Sequence, residues 1–247
     1  MEIMNNDPNA TNISYLPVNE RATSRSFVAN VFLLMFIALG ISAFFAWEFS
    51  IDDSLRSYLV SPTGLTGLGE ATIFAPIGFV LLMALGYRRL SAPALMVLFV
   101  LYAIINGISF SFILLQFTQS SVLGCFLSAS AMFGVMAVMG YTTRQDLTRF
   151  GKILIMGVIG ILVAMVINFF MHSSGLDYLI SIIGVMIFTG LTAYDVQKLK
   201  QLGDNIEISN AGAAEIRKVS ILGALTLYLD FINIFLFLLR LFGGRRN

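Results

Sequence analysis

The chain contains seven long, almost uninterrupted apolar stretches, and this pattern restricts its fold more than any other feature of the sequence. A transmembrane helix needs about 17–25 mostly apolar residues to cross the hydrocarbon. The stretches lack the polar–apolar alternation of barrel strands, and a chain in lipid must satisfy its own backbone hydrogen bonds. The pattern therefore predicts seven transmembrane helices. They lie near residues 27–49, 71–87, 94–115, 121–141, 153–171, 177–197 and 219–239.

The composition agrees with an all-α membrane protein and excludes several other classes. Hydrophobic residues make up 57% of the chain and charged residues 12%, against about 45–50% and 25% in soluble domains. A net charge of +1 leaves no basic field for nucleic acid. The single cysteine, Cys125, and the single histidine, His172, exclude a disulfide framework and Cys/His metal clusters. We expect residues 1–26 to form a polar cytoplasmic tail and residues 27–247 the transmembrane domain.

The basic residues predict the direction of the spans. Eleven of the 15 Lys and Arg residues precede the first span or lie in alternate connections, whereas the opposite connections contain only Arg56. The positive-inside rule then places the N-terminus in the cytoplasm. The eleven residues are Arg21, Arg25, Arg88, Arg89, Arg144, Arg149, Lys152, Lys198, Lys200, Arg217 and Lys218.

The C-terminus is an exception to this rule. Seven spans send it to the outside, although Arg240, Arg245 and Arg246 follow the last apolar stretch. Either the last helix is enclosed by the others and placed by packing, or it does not cross fully; the apolar run 235–242 favours the first explanation. The polar segment 201–216, between the last two spans, predicts a cytoplasmic loop with some helix at either end.

Two carboxyl groups lie where lipid should exclude them. Asp230 is near the middle of the seventh span and Asp195 near the cytoplasmic end of the sixth. A charge at such a depth costs about 2.5–3.5 kcal/mol on insertion scales, so it has to face a protein or water interior. Counted from the flanking lysines, Asp195 is about 5 Å deep and Asp230 about 18 Å deep. They can meet only if the sixth span extends past Lys200 or the seventh sits lower.

Polar side chains accompany both aspartates. Thr226, Asp230 and Asn233 share one helical face, and Thr192 lies one turn before Asp195. If the two faces meet, like charges at close range cannot both ionise easily, so the pair would share a proton and respond to pH. When both ionise, their oxygens suit Ca²⁺. The sequence thus predicts a site that is both a pH sensor and a Ca²⁺ site.

At these residues the chain resembles the Bax-inhibitor family, also called the transmembrane BAX-inhibitor-motif proteins. The resemblance rests on Gly190-Leu-Thr-Ala-Tyr-Asp195 with Gln197 in the sixth span. It also rests on Leu225-Thr-Leu-Tyr-Leu-Asp230-Phe-Ile-Asn233 in the seventh. The step Asn106-Gly107-Ile-Ser109 in the third span is similar as well.

The resemblance implies a seven-helix bundle with the C-terminal helix at the centre, ringed by the other six. It implies a pH-dependent Ca²⁺ leak in which Asp195 and Asp230 form the acidic sensor and Ca²⁺ is the transported ion rather than a cofactor. An arginine at the end of the second span acts as a latch on this pair in bacterial relatives; its best match here is Arg89, with Arg88 as the neighbouring candidate. We expect no enzymatic activity and a prokaryotic plasma (inner) membrane.

Other interpretations remain open beside the leak. The bundle could be a non-transporting regulator that binds other membrane proteins, such as a quality-control protease or a cell-death factor, or it could exchange ions for protons. An intramembrane aspartyl protease of the presenilin type is disfavoured. Tyr194-Asp195 matches that pattern, but Leu227-Tyr-Leu-Asp230 replaces its Gly-x-Gly-Asp sequence and Pro93-Ala-Leu95 precedes both aspartates instead of following them.

Overall fold

The computed structural model describes residues 20–62, 64–208 and 212–245, and almost all of this part of the chain is helical. Seven helices within these residues are long and apolar enough to cross a membrane, which confirms the seven predicted spans. A short helix and a two-stranded antiparallel hairpin connect the first two of them. The elements are α1 (Glu20–Ile51), α2 (Asp53–Ser57), β1 (Val60–Ser61), β2 (Gly64–Leu65), α3 (Gly67–Gly86), α4 (Ala92–Gln116), α5 (Gln119–Thr142), α6 (Thr148–Met171), α7 (Ser174–Ile208) and α8 (Ala213–Phe242).

Local sequence signals set several helix ends. Ser91 and Thr118 are N-caps of α4 and α5, and each side-chain oxygen accepts a bond from a backbone N–H in the first turn. Such caps satisfy donors that the helix leaves unpaired. His172 ends α6 in the left-handed conformation, with φ of 50°, and its N–H bonds to the Asn168 carbonyl. The tight connection to α7 follows from this reversal of the chain.

The C-terminal helix lies at the centre of the bundle, as predicted. In its most apolar stretch 72% of the residues are buried, against 11% in α3 and 6% in α6. It packs against α1, α4, α5 and α7, whereas α3 packs mainly on α4 and α6 on α7. The expected ring of six helices is therefore wrong in detail: four helices surround α8, and α3 and α6 form an outer layer.

The largest departure from the predicted boundaries lies between the last two spans. The helix α7 continues to Ile208 and α8 already begins at Ala213, so most of segment 201–216 is helical rather than a loop. Polar helix formers extend both helices beyond their apolar stretches, which hydropathy does not detect. At the other end of the chain, α1 begins at Glu20, inside the expected tail 1–26; residues 1–19 of that tail lie outside the described residues.

The last helix crosses the bundle completely. Near its C-terminal end, Arg240 Nη1 lies 3.7 Å from the carboxylate of Asp177 in the first turn of α7. Just beyond it, the backbone of Arg245 bridges that of Phe117 at the α4–α5 connection. We call this end of the bundle, which the basic residues predict to face away from the cytoplasm, the outer end, and the opposite end the inner end. Of the two explanations for the C-terminal arginines, these contacts support enclosure of a full span.

Candidate functional site

The helices α7 and α8 pack antiparallel, and their register brings two acidic residues together. Phe188 and Phe237 pack with ring centroids 5.9 Å apart. Seven residues after Phe188 comes Asp195, and seven residues before Phe237 comes Asp230. Equal steps of two turns, about 10.5 Å, in opposite directions reach the same level. Gly184 permits the close approach, because a Cβ there would lie 2.5 Å from the Phe237 ring.

The carboxyl groups of Asp195 and Asp230 lie within hydrogen-bonding reach of each other. Asp230 is only 4% exposed, and Asp195 is half-buried. Asp230 Oδ2 is buried and has no hydrogen-bond partner in the part of the chain that the structure describes. Two carboxyl groups can bond to each other only when one of them carries a proton. The geometry therefore suits a pair that shares a proton or accepts a cation.

One lysine lies close enough to influence this pair. The ammonium group of Lys198, one turn beyond Asp195 on the exposed side of α7, acts electrostatically on the Asp195 carboxylate. Lys200 points elsewhere, since its Nζ donates to the Tyr141 carbonyl at 2.9 Å. Asp195, half-buried and beside an exposed lysine, is thus the member of the pair that lies nearer to water.

The acidic pair could provide only a partial coordination sphere for a metal ion. Among the described residues, no group of three or more His, Cys, Asp or Glu side chains could hold a metal. Calcium takes six to eight oxygen ligands. A Ca²⁺ ion held by Asp195 and Asp230 would therefore keep most of its water ligands and bind weakly.

The structure does not bring the other predicted site residues to the pair. Arg88 and Arg89 are exposed in the turn after α3, which packs on α4, and neither forms an ion pair with a described residue. A latch contact with the aspartates is therefore absent from this conformation.

The three polar residues predicted to support the aspartates also bond elsewhere. The side chains of Thr192, Thr226 and Asn233 donate to the carbonyls of Phe188, Leu222 and Leu229, each one turn earlier in the same helix. These bonds satisfy polar groups within their own helices. The three residues share helical faces with the aspartates but do not coordinate them.

A second buried polar cluster on α8 was not predicted as a site. We call Ser42, Tyr102, Asn106 and Tyr228 the polar junction. Asn106 Nδ2 donates to the hydroxyl oxygens of Tyr102 and Tyr228 at 3.1 and 3.0 Å, and Ser42 Oγ lies 2.7 Å from the Tyr228 hydroxyl. The two tyrosine rings form an edge-to-face contact with centroids 5.4 Å apart. All four side chains are buried, and they connect α1, α4 and α8.

The motif around Asn106 shows why these three helices can meet. A Cβ on Gly107 would lie 2.5 Å from the Ser42 carbonyl, so only glycine allows α1 and α4 to approach this closely. Ser42 Oγ bonds to the Ala103 carbonyl at 2.7 Å across the same contact. Asn106 and Tyr228 both lie in the quoted family motifs, and their spacing in the sequence gave no sign that they touch.

A third motif residue, Gln197, fixes the connection between α5 and α6. Its side-chain oxygen accepts a bond from the Leu147 N–H at 2.9 Å, and its amide donates to the Gln145 carbonyl at 2.7 Å. Leu147 is the N-cap position of α6, which has no side-chain cap of its own. Gln197, two residues along the chain from Asp195, thus supplies the side-chain hydrogen bonds at the N-terminal end of α6.

At the inner end, α3 and α8 are joined by an exposed contact that we call the inner clasp. The Tyr87 hydroxyl donates a hydrogen bond to the Glu215 carboxylate. Lys218 lies 4.0 Å from Glu215 and 5.7 Å from the centre of the Tyr87 ring. The bond to Glu215, then partial burial and the Glu215 charge, raise the pKa of Tyr87, while Arg88 opposes this.

The fold and these contacts define a polytopic α-helical membrane protein in which a buried aspartate of the central helix is paired with an aspartate of the neighbouring helix α7. The chain belongs to the family described as "Inhibitor of apoptosis-promoting Bax1", whose model matches residues 24–247. It is 41% identical over 230 residues to the inner membrane protein YbhL of Escherichia coli K12, covering 93% of this chain and 96% of that protein. The resemblance predicted from the motifs is confirmed.

Two further relatives are similar over nearly their whole length. An uncharacterised protein of Borreliella burgdorferi is 42% identical over 225 residues, with 90% of this chain and 93% of the relative covered. An uncharacterised membrane protein of Streptococcus pyogenes serotype M3 is 36% identical over 221 residues, covering 88% and 92%. Together with the seven apolar helices, these relatives support the predicted location as a multi-pass protein of a bacterial inner membrane.

Proposed function

We propose that the protein is a pH-sensitive Ca²⁺ leak channel in which Asp195 and Asp230 are both the sensor and the Ca²⁺-binding group. The observation that carries the proposal is that the half-buried carboxyl group of Asp195 lies within hydrogen-bonding reach of the buried carboxyl group of Asp230 on the central helix. Intramembrane carboxylates in such positions commonly belong to ion or proton pathways. The proposal includes no enzymatic role and no cofactor, and Ca²⁺ is the transported ion.

The charge of the pair is the proposed switch. With one shared proton the carboxyl groups attract each other and hold α7 and α8 together at this level. Loss of that proton leaves two adjacent negative charges, which repel each other and attract a divalent cation. A change of about 1.4 kcal/mol in the free energy of the gate alters the open population tenfold, so one proton is enough to regulate a leak.

Weak coordination supports a leak rather than a storage site. An ion that passes through a channel must bind well enough to enter and weakly enough to leave. Two carboxylates with water as the remaining ligands meet this requirement, since no third carboxylate joins them in a metal-holding group among the described residues. Lys198, beside the pair, would lower the affinity further by repulsion.

The direct test is Ca²⁺ flux into liposomes that contain the full chain and a trapped Ca²⁺ dye, measured at several values between about pH 5 and pH 8, because a carboxyl group beside a second one in a buried site keeps its proton to a higher pH than a free one. Asp230→Asn and Asp195→Asn keep the side-chain shape but remove one charge. We expect either variant to lose the pH dependence, because the pair can no longer exchange its shared proton. We expect the leak at one fixed pH to change by at least about tenfold, which corresponds to about 1.4 kcal/mol in the free energy of the gate.

Asp204→Asn is the matched control, since Asp204 is an exposed carboxylate on the same helix, beyond Asp195. It should conduct like the unaltered protein. Identical flux and pH profiles for all three variants would contradict the channel proposal and favour the non-transporting regulator. In that case, deletion of residues 1–20 should abolish regulation, whereas a leak channel should still conduct after the deletion.

A further inference from the structure

The outer end of the bundle contains a cavity of about 450 Å³ that has no part in the acidic pair. The helices α4 and α6 have no extensive contact with each other, and residues from the outer ends of α4, α6, α7 and α8 line the cavity. Its deeper walls are apolar, with Met165 and Leu236 among them, and its mouth carries Gln116, Asn168, Arg240 and Arg245. A volume of this size falls in the range of small-molecule sites, about 300–1,000 Å³.

The charges at the mouth are positive in sum. Arg240 is paired with Asp177, with Nη1 and Oδ1 3.7 Å apart. The Arg245 side chain also lines the cavity, and it has neither an ion pair nor a side-chain hydrogen bond with any described residue. Two guanidinium groups against one carboxylate leave one positive charge unmatched.

These arginines are also on the unexpected side of the membrane. Basic residues are depleted outside the cytoplasm, and apart from Arg56 the other described basic residues lie at the inner end of the bundle. Topology therefore does not account for Arg240 and Arg245, whereas a shared anionic ligand does. A guanidinium group matches the geometry of a phosphate with two parallel N–H donors.

Part of the cavity lining belongs to the exposed, apolar surface of the bundle. Phe169, on its α6 rim, is 72% exposed on the outer surface of the bundle. The lining changes from charged at the mouth to apolar along Met165 and Leu236. A ligand with a phosphate at one end and a hydrocarbon chain at the other matches this sequence of surfaces.

We propose that this cavity binds an anionic phospholipid of the outer leaflet, with its phosphate on Arg245 and Arg240 and the start of one acyl chain against Met165 and Leu236. Arg245 supplies the unmatched charge. Arg240 is held in place by Asp177 and donates from its remaining N–H groups. The proposal does not depend on Ca²⁺ conduction or on the acidic pair.

The test is native mass spectrometry of the full chain in a neutral detergent, titrated with short-chain phosphatidylglycerol, with phosphatidylcholine and with inorganic phosphate. We expect one phosphatidylglycerol to bind at least about tenfold more tightly than phosphatidylcholine, a difference of about 1.4 kcal/mol. Arg245→Gln should remove that preference and Arg245→Lys should retain part of it, because a point charge replaces a bidentate donor.

Arg149→Gln is the control, since Arg149 is also an exposed arginine and lies at the opposite end of the bundle. It should bind phosphatidylglycerol like the unaltered protein, and so should Asp230→Asn. Equal binding of both lipids, or phosphatidylglycerol binding that Arg245→Gln leaves unchanged, would overturn the proposal. Displacement of the lipid by inorganic phosphate at similar concentrations would overturn it as well, by identifying a site for free phosphate.

Discussion

The central helix carries two buried polar sites that differ in how completely their hydrogen bonds are satisfied. In the polar junction, the Tyr228 hydroxyl contacts both Ser42 and Asn106, and Ser42 also bonds to a backbone carbonyl. Two residues further along α8, Asp230 faces Asp195 and keeps an oxygen with no partner among the described residues. Tyr228 and Asp230 are both almost fully buried, so their depth in the bundle does not explain the difference.

The difference distinguishes polar groups that stabilise the fold from polar groups that are suited to binding a proton or an ion. A buried network whose members all have partners stabilises one arrangement of the helices, whereas a buried carboxyl group without a donor requires a proton, a water molecule or an ion from outside. In this protein the satisfied site joins α1 and α4 to α8, and the unsatisfied site joins α7 to α8. A movement that responds to protons should therefore occur between α7 and α8.

The strongest test of this contrast is Asn106→Leu in the polar junction. The substitution removes two hydrogen bonds and leaves the Tyr102 and Tyr228 hydroxyls without their shared donor in a buried site. We expect a loss of about 2–4 kcal/mol in the free energy of unfolding, measured by denaturation in detergent. If the variant folds, the pH profile of its Ca²⁺ flux should be unchanged. A lost pH response with normal stability would contradict the contrast.

Asp230→Asn should have the opposite combination of effects: a lost pH response of the flux and a nearly unchanged stability. Because the amide donates to the Asp195 carboxylate and removes a charge from the interior, we expect the free energy of unfolding at neutral pH to change by less than about 1 kcal/mol or to increase. The same denaturation experiment measures it, with Asp204→Asn as the exposed control. A loss as large as that of Asn106→Leu would show that the acidic pair is a structural element like the junction.

The sequence was sufficient to predict the elements but not their lateral arrangement. Hydropathy along the chain detects the seven spans, and Asp195 and Asp230 are recognisable because lipid penalises any carboxyl group at such a depth. The depth difference counted from Lys198 and Lys218 disappears because α7 extends to Ile208 on polar helix formers. Hydropathy contains no information about helix that continues outside the membrane.

Contacts between distant segments could not be predicted in the same way. Ser42 and Tyr228 are 186 residues apart and bond directly, but a serine and a tyrosine in separate apolar spans resemble ordinary packing residues. The positions of Arg88 and Arg89 depend on α3 packing mainly on α4 and touching α8 only at the inner clasp. The fit of whole helix surfaces determines which helices become neighbours. The spacing of residues in the sequence does not predict this choice.

The inner clasp extends the contrast to a polar contact of α8 that lies in water. Tyr87 donates to Glu215, and this bond raises the pKa of Tyr87. The clasp therefore stabilises the fold below the ordinary tyrosine pKa of about 10. Its contribution is lost as the pH rises through the raised pKa. Tyr87→Phe should reduce the free energy of unfolding at about pH 8 by roughly 0.5–1 kcal/mol.

Denaturation at about pH 8 and pH 11, on either side of the ordinary tyrosine pKa, measures this contribution. The difference between Tyr87→Phe and the unaltered protein should shrink at the higher pH, because ionised Tyr87 no longer donates to Glu215 and is repelled by it. Tyr58→Phe is the control, since Tyr58 is 63% exposed at the other end of the bundle, and it should have no effect at either pH. A deficit for Tyr87→Phe that is equal at both values would show that the ring contacts, and not the hydroxyl, hold α3 to α8.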